Sequence, residues 1–317
     1  MGDTEAFIHL SKLHKYYGEK HVIKGIDLAI KRGEVFGFLG PSGAGKTTTV
    51  EILEGLRPAS SGKVLVLGSD PREQQTLFFK KIGVQFQKTD LPPKLKVREA
   101  LALFNVLYKN KLNDQAMQDI IEKFTLRPYL NTYFENLSGG TKQKLILALA
   151  IAHNPQILFL DEPTTGMDPK SRQDFYDVLF KIKAEGRTII LTTHNMDEAN
   201  KFCDRIAFFY QGKILDVDTP QNLAAKYGEN ACLKIISPNA VRGELQALAS
   251  VLRVEEKEGT FLLYSDNLQA AALEVFQLSQ GNNWHITSFG LERGSLEELF
   301  ISLGTKGGAK SENFKIS

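Results

Sequence analysis

One segment of the chain carries its strongest structural signal: Gly40-Pro41-Ser42-Gly43-Ala44-Gly45-Lys46-Thr47. An apolar run at 35–39 precedes this segment, and a helix-compatible stretch at 46–56 follows it. A buried strand, a glycine-rich loop and a helix in this order are the setting of a phosphate-binding loop. The pattern GxxxxGK[ST] is matched at every fixed position, so a plain glycine-rich turn is the weaker interpretation.

The chemistry of this loop predicts a site for a nucleoside triphosphate. Glycines let the backbone curl so that its N–H groups surround the β-phosphate, and the N-terminus of the following helix adds positive potential. Lys46 is expected to reach the β- and γ-phosphate oxygens, and Thr47 to ligate Mg²⁺. The candidate nucleotide-binding residues here are Gly40, Pro41, Ser42, Gly43, Ala44, Gly45, Lys46, Thr47 and Thr48.

Two further segments carry groups suited to phosphate chemistry. The run 156–162 is an apolar stretch that ends in Asp161 and Glu162. A strand emerging beside the loop would bring Asp161 to the Mg²⁺ shell and Glu162 to the attacking water. The segment Leu137-Ser138-Gly139-Gly140-Thr141 offers N–H groups and a hydroxyl at a helix start, which predicts a second anion site. Taken alone, the first segment also fits a solvated strand end and the second a serine N-cap.

The composition is that of a globular protein with two domains. The chain has 317 residues, of which 42% are hydrophobic and 24% charged, with a net charge of +2. This length exceeds what a single core usually holds, and the charge is too small to argue for a nucleic-acid partner. Cys203 and Cys232 are too few for a disulfide framework, which favours a reducing compartment. The longest apolar run, 145–152, is far shorter than the roughly 20 residues of a membrane span, so we expect a partner to supply any spans.

Helices and buried strands alternate in the first two thirds of the chain, which indicates an α/β core. Strands are predicted at 7–10, 22–30, 35–39, 156–160 and 188–192, helices at 46–56, 97–108, 138–152 and 169–185, and a hairpin at 206–217. After residue 230 a small α+β unit is predicted, with strands at 232–236, 252–264 (two strands) and 284–289, and helices at 240–249 and 268–278. We predict a nucleotide-binding domain over 1–228, an accessory domain over 229–304 and a flexible tail over 305–317.

Together these motifs resemble the nucleotide-binding domain of the ATP-binding cassette (ABC) family. The family signature LSGGQ is matched by 137–141 except at Thr141, and the phosphate donors Ser138, Gly139 and Gly140 are kept. Further segments resemble family motifs in the family's order: the Q-loop at 83–87, the D-loop at 166–169 with Asp168, and the switch histidine His194. The resemblance therefore implies an α/β fold, namely a P-loop ABC-type nucleotide-binding domain with a helical subdomain, followed by the small α+β domain.

The resemblance also implies roles for individual residues. Gln87 resembles the Q-loop glutamine that senses Mg²⁺ and the permease, with Gln85 as the alternative. Tyr17, which precedes Gly18, resembles the aromatic residue that stacks on adenine, with Tyr16 as the alternative. The implied catalytic residues are Glu162, His194 and Gln87, and the implied Mg²⁺ ligands are Thr47, Gln87 and Asp161. The cofactors implied are ATP and Mg²⁺.

The assembly implied by the family is a head-to-tail dimer. Each ATP would be held between residues 40–47 of one subunit and residues 138–140 of the other, and the second subunit would be a copy of this chain or a paralogue. ATP binding would join the two subunits, and hydrolysis would separate them.

The end of the chain resembles a subtype of the family. Gly294-Ser295-Leu296-Glu297-Glu298-Leu299-Phe300 and the segment 91–99 resemble sequences of daunorubicin-resistance-like exporter subunits, although 296–303 also fits a plain amphipathic helix. We therefore expect the ATPase subunit of an exporter, peripheral at the cytoplasmic face of the membrane, with a separately encoded permease. The alternatives are a methionine-type importer ATPase with a ligand site in 230–303 and a soluble ABC ATPase that acts on ribosomes.

Overall fold

Two units make up the chain, Met1–Pro220 and Gln221–Ser317. The computed structural model describes residues 6–87, 91–107, 112–227, 232–257 and 259–292. The strands of the first unit are β1 (Ile8–Tyr17), β2 (Lys20–Ile30), β3 (Val35–Leu39), β4 (Ser61–Val66), β5 (Ile82–Gln85), β6 (Ile157–Asp161), β7 (Thr188–Thr193), β8 (Arg205–Tyr210) and β9 (Lys213–Asp218). The helices that follow in chain order are α1 (Lys46–Leu53), α2 (Gln75–Phe78), α3 (Val97–Leu107), α4 (Asp114–Lys123), α5 (Gly139–Ile151), α6 (Pro169–Ala184), α7 (Met196–Phe202) and α8 (Pro220–Tyr227).

The central sheet has the strand order β5-β6-β7-β3-β8-β9. Its first five strands are parallel and β9 is antiparallel to β8. Every residue of β3, β6 and β7 is buried, as expected for parallel strands that are covered on both faces. Because the carboxyl ends of parallel strands lie along one edge, the segments that follow β3, β5, β6 and β7 are brought together there.

A second, antiparallel sheet packs on the central one. Its order is β2-β1-β4, and its buried side chains share one hydrophobic core with β3, α1, β6 and β8. This sheet carries Tyr17 at the end of β1, next to the turn into β2. Between β5 and β6 the chain forms α3, α4 and α5, which are the helical subdomain that the sequence predicts.

After α8, the described residues of the second unit form a four-stranded antiparallel sheet and two helices. Its strands are β10 (Cys232–Ile236), β11 (Arg253–Lys257), β12 (Thr260–Tyr264) and β13 (Ser288–Glu292), and its helices are α9 (Arg242–Gln246) and α10 (Leu268–Gly281). The strand order is β11-β12-β10-β13. A separate core includes Leu233, Ile235, Phe261 and Val275, so the unit is stabilised by its own apolar side chains.

Several predicted element bounds are wrong, for local reasons. Helix α1 ends at Leu53 instead of 56, because Gly55 has a φ of +74° and a Cβ there would lie 2.6 Å from the carbonyl oxygen of Pro71. The last strand begins at Ser288 instead of 284, since the N–H of Trp284 still donates to the carbonyl of Ser279 in α10. Helix α9 is shorter than the predicted 240–249.

Two expectations fall on residues outside the described ranges. These are the exporter-like segment 294–300 and the flexible tail 305–317. The predicted domain boundary at 228/229 remains a prediction. Among the described residues, no helix combines the length and the apolar character that a membrane crossing requires.

Candidate nucleotide-binding site

The phosphate loop connects the end of β3 to the start of α1, and two of its glycines are required by its geometry. A Cβ on Gly40 would lie 2.4 Å from the carbonyl oxygen of Phe209 in β8, so the close approach of these two backbones excludes a larger residue. Gly45 caps the N-terminus of α1 with a φ of 108°, a left-handed conformation that favours glycine. The loop thus turns directly into the helix, with free N–H groups at the helix start.

Lys46 is buried inside this loop. Its Nζ donates hydrogen bonds to the carbonyl oxygens of Gly40 at 2.7 Å and Pro41 at 3.1 Å. Burial lowers the pKa of Lys46, while the negative charges of Glu162 and Asp161 act in the opposite direction. The ammonium group is therefore held at the centre of the loop, facing the two carboxylates that the sequence assigns to catalysis and metal binding.

Asp161 ends β6 beside Thr47 and Thr192. Thr47 Oγ1 donates to Asp161 Oδ1 at 3.4 Å, and Thr192 Oγ1 donates to the same oxygen. Burial raises the pKa of Asp161, and the hydrogen bonds from Thr192 and Thr47 oppose this shift. The position of Thr192 follows from the sheet, because residue 192 of β7 is the register partner of residue 161 of β6.

This oxygen set fits Mg²⁺. Within the described ranges, no cluster of three or more His, Cys, Asp or Glu side chains is arranged to hold a metal ion. The hydroxyl of Thr47 and the carboxylate of Asp161 are hard oxygen donors, and Mg²⁺ uses one or two carboxylates together with phosphate oxygens and water. The residues present therefore suit a magnesium ion shared with a nucleotide.

Glu162 is the residue on which the predicted catalytic side chains converge. Its Oε2 accepts hydrogen bonds from Gln87 Nε2 at 3.1 Å and from Thr165 Oγ1 at 3.2 Å. Its Oε1 lies 3.2 Å from Nδ1 of His194. Three segments that are distant in sequence thus meet at one carboxylate.

The backbone of Glu162 is strained. Its φ of +46° is in the left-handed region, which is uncommon for a residue with a Cβ and costs of order 1–3 kcal/mol. The conformation is held because the N–H of Glu162 donates to both the carbonyl oxygen of Thr192, at 3.1 Å, and its Oγ1, at 3.0 Å. Strain that is enforced in this way is typical of functional sites.

The two candidate glutamines have different environments. Gln85 is the last residue of β5, is buried, and donates through its amide to Gln143 in α5. Gln87 lies beyond the end of the strand and reaches Glu162. The geometry therefore favours Gln87 over Gln85 as the site residue.

The signature segment caps the N-terminus of α5. Ser138 Oγ accepts a hydrogen bond from the N–H of Thr141 at 3.3 Å and lies 2.9 Å from Thr141 Oγ1. Thr141, which replaces the glutamine of the family signature, thus forms a hydroxyl contact with Ser138. A Cβ on Gly140 would lie 2.6 Å from the side chain of Ser171. Among the described residues, no hydrogen bond joins this segment to residues 40–48.

Asp168 caps α6 close to the signature segment. Its Oδ1 accepts from the N–H groups of Lys170 at 3.1 Å and Ser171 at 3.0 Å. Hydrogen bonds from Ser171 lower the pKa of Asp168, so the carboxylate stays ionised at neutral pH. Asp168 therefore stabilises the N-terminus of α6, in addition to the D-loop role that its resemblance to the family implies.

The two tyrosines at the end of β1 have different partners. Tyr16 stacks on His21, with ring centroids 3.9 Å apart. Tyr17 has cationic neighbours instead, because Lys15 Nζ lies 5.0 Å and the Arg57 guanidinium 5.8 Å from its ring centroid. Tyr16 already has an aromatic partner in its own sheet, which favours Tyr17 for stacking on a base.

A cavity of about 210 Å³ adjoins the Thr47–Asp161 pair. Its polar lining consists of Thr47, Glu51, Glu54, Gln87 and Asp161, and Val50 and Phe86 complete it. Glu54 is 2% exposed, and burial raises its pKa to about 8, with further contributions from the charges of Asp161 and Glu51. Sequence reasoning missed Glu54, although its seven-residue spacing from Thr47 puts both on one face of α1. It also missed Thr192, which the pairing of β6 with β7 would have indicated, and Thr165, for which the sequence gives no signal.

Two family models match the chain. The model described as ABC transporter matches residues 23–165, and the model described as ATP-binding protein DrrA1-3-like, C-terminal domain, matches residues 219–303. The first match includes the phosphate loop, the signature segment, Asp161 and Glu162. The second match includes β10 to β13, α9 and α10 of the small α+β unit.

Curated relatives match most of the chain. The linearmycin resistance ATP-binding protein LnrL of Bacillus subtilis is 30% identical over 303 residues, which are 93% of this chain and 97% of the relative. The Nod factor export ATP-binding protein I of Rhizobium johnstonii is 38% identical over 299 residues, or 93% of this chain and 94% of the relative. The probable multidrug ABC transporter ATP-binding protein YbhF of Escherichia coli is 38% identical over 224 residues, but this chain spans 39% of its length.

Solved structures share the fold of the first unit. A chain described as the ATP-binding subunit of an ABC transporter covers 70% of this chain with a TM-score of 0.63 at 23% identity. The dimeric structure of MJ0796, a bacterial ABC transporter cassette, covers 67% with a TM-score of 0.59 at 28% identity. The relatives that are 30% and 38% identical over 93% of the sequence show that the chain belongs to the ABC transporter family, as an ATP-binding protein with a DrrA-like C-terminal domain.

Proposed function

We propose that this chain is the ATPase subunit of a membrane exporter and that it hydrolyses ATP between two nucleotide-binding units joined head to tail. The observation that carries the proposal is the convergence of Gln87 and His194 on Glu162, beside the phosphate loop. An anion-binding loop, a candidate base and two orienting side chains in one site are the components that phosphoryl transfer to water requires.

In this proposal the phosphate loop and its neighbours bind the nucleotide. The N–H groups of 40–48 and the ammonium of Lys46 bind the β- and γ-phosphates, and Tyr17 stacks on the adenine. Thr47, Asp161 and Gln87 hold Mg²⁺, which when bound neutralises charge on the phosphate oxygens. The hydrogen bond between Thr47 and Asp161 supports this assignment, since it brings both oxygens to one point.

Glu162 acts on the attacking water. Its carboxylate accepts a hydrogen bond from that water and takes its proton as the water oxygen bonds to the γ-phosphorus and the bond from this phosphorus to the bridging oxygen breaks, which releases ADP. Gln87 and Thr165 orient the carboxylate through their hydrogen bonds, and His194 lies against its other oxygen. The side chain of His194 is 55% exposed, which leaves it able to contact the γ-phosphate as well.

A second copy of this chain completes the site. Ser138 and the N–H groups of Gly139 and Gly140 contribute from the N-terminus of α5, and Asp168 lies at the dimer contact. Ser138 and Gly139 are exposed at the N-terminus of the 13-residue helix α5, and helix N-termini attract phosphate groups. Similarity to a cassette whose solved structure is dimeric supports the arrangement.

Export is the direction of transport that the relatives support. The relatives named for linearmycin resistance and Nod factor export align with nine tenths of this chain, including the small α+β unit. In this proposal a separately encoded permease supplies the membrane spans, and the chain is peripheral at the cytoplasmic face of the cell membrane. The permease also selects the transported molecule.

Affinity purification from detergent-solubilised membranes tests this function. The tagged full-length chain is expected to recover a multi-span membrane protein in stoichiometric amount, whose sequence separates an exporter from an importer. Recovery of ribosomal or other soluble proteins in its place would contradict the transport proposal. Basal ATPase activity of the chain purified alone tests hydrolysis independently of the partner.

A further inference from the structure

Glu54 is a buried carboxylate that the functions assigned above do not use. It is the C-cap residue of α1, two turns after Thr47, and it lines the cavity that Thr47, Gln87 and Asp161 also line. Two turns of helix rise roughly 10 Å, but side chains on a helix lean toward its N-terminus, so the Glu54 carboxylate is directed back toward Thr47.

The Glu54 carboxylate has no partner in the described part of the chain. It is 2% exposed, yet neither a hydrogen bond nor an ion pair from any described residue reaches it. Glu51, one turn earlier in the same cavity, differs, because its side chain is 25% exposed and is paired with Arg57. Because no described residue donates to it and it lines the cavity, the Glu54 side chain can accept hydrogen bonds from molecules that enter the cavity.

The cavity has the size and lining of a site for hydrated cations. Its volume of about 210 Å³ holds several water molecules at roughly 30 Å³ each. Mg²⁺ bound by protein usually keeps several of its waters, and these waters need acceptors of fixed position. Thr47 and Asp161 are a hydrogen-bonded pair in the lining of the cavity, and Glu54 provides a further acceptor in the same lining.

We propose that Glu54 is a positioning residue of the magnesium–nucleotide site and that its carboxylate accepts hydrogen bonds from water molecules bound to the cation held by Thr47 and Asp161. The inference rests on the proposed function, because it needs the cation to bind there. It adds to that function a residue that fixes the metal through water instead of touching it.

The test is a titration of Mg²⁺ into the full-length chain with a fluorescent ATP analogue, which measures metal-dependent nucleotide binding without turnover. In Glu54→Gln the half-saturating Mg²⁺ concentration is expected to rise about tenfold, the typical effect of losing an outer-shell partner. Nucleotide binding in excess chelator is expected to stay unchanged. Glu51→Gln is the matched control, since it removes one carboxylate from the same cavity, and its shift is expected to stay below about threefold.

Two results would overturn the inference. One is a Glu54→Gln chain whose half-saturating Mg²⁺ concentration equals that of the unmodified chain. The other is an equal shift in Glu51→Gln, which would mean that the cavity acts through its total charge alone. If Glu54→Gln does not fold, as judged by its circular dichroism, Glu54→Asp decides, because the shortened carboxylate should still raise the half-saturating concentration. An unmodified chain that shows no Mg²⁺-dependent binding would contradict the proposed function, and the role of Glu54 would fail with it. Mg²⁺-dependent binding in the unmodified chain with no shift in Glu54→Gln would contradict the role of Glu54 alone.

Discussion

Replacing Glu162 with glutamine is expected to lower kcat about a thousandfold while leaving ATP binding within about threefold of the unmodified chain. The substitution keeps the shape of the side chain and an oxygen that accepts from Thr165, but it removes the carboxylate that Gln87 and His194 orient. General bases contribute about 10²–10⁴ to rate. A thousandfold loss corresponds to about 4 kcal/mol of transition-state stabilisation. Binding is preserved because Lys46 keeps its contacts within the loop.

The assay is single-turnover release of phosphate from the purified chain, with the affinity for ATP measured in parallel by fluorescence. Glu73→Gln, an exposed glutamate outside the site, is the control and should leave both quantities unchanged. Turnover within tenfold of the unmodified chain would refute the assignment of Glu162 as the base. Loss of ATP binding in Glu162→Gln would instead show that the carboxylate shapes the loop.

Three further changes test the geometry. Gly40→Ala places a Cβ about 2.4 Å from the carbonyl oxygen of Phe209 and should lower stability by about 1–3 kcal/mol in thermal melts, whereas Gly281→Ala, with open space around it, should not. Thr192→Val removes a donor to Asp161 and an acceptor for the N–H of Glu162, and should weaken Mg²⁺ affinity about tenfold; an unchanged affinity would contradict the role of Thr192. Glu54, whose pKa is raised from 4.5 to about 8, keeps in the folded chain a proton that the unfolded chain releases. Stability should therefore fall as pH rises from 4.5 to about 8, and Glu54→Gln should remove this fall in urea unfolding measured across that range.

Much of the site could be predicted from the sequence because its motifs are local. The phosphate loop is one continuous segment, and Asp161 follows an apolar run whose burial on both faces makes it a central parallel strand. Parallel strands bring their carboxyl ends to one edge, which is why the residues after β3, β6 and β7 meet there. The motif-bearing elements α1, α5, β6, α6 and β7 all lie within a few residues of the predicted bounds.

The contacts around Glu162 could not be predicted in the same way. Gln87 and Glu162 are 75 residues apart, and no local pattern encodes their hydrogen bond. Gln85 and Gln87 would share one face if the strand continued, but β5 ends at Gln85, so a strand end that is invisible in the sequence separates them. The last strand was misplaced for a related reason, since Trp284 and Ile286 are apolar residues that pack against a core without joining a sheet.

The most direct test of the account is the oligomeric state of Glu162→Gln in saturating Mg-ATP, measured by sedimentation. Hydrolysis is blocked in this variant, so the account predicts a dimer in ATP and a monomer without nucleotide. Adding Ser138→Arg to the same chain should return it to a monomer that still binds ATP, because Ser138 acts on the nucleotide of the opposite subunit. A Glu162→Gln chain that stays monomeric in saturating ATP would contradict the head-to-tail site.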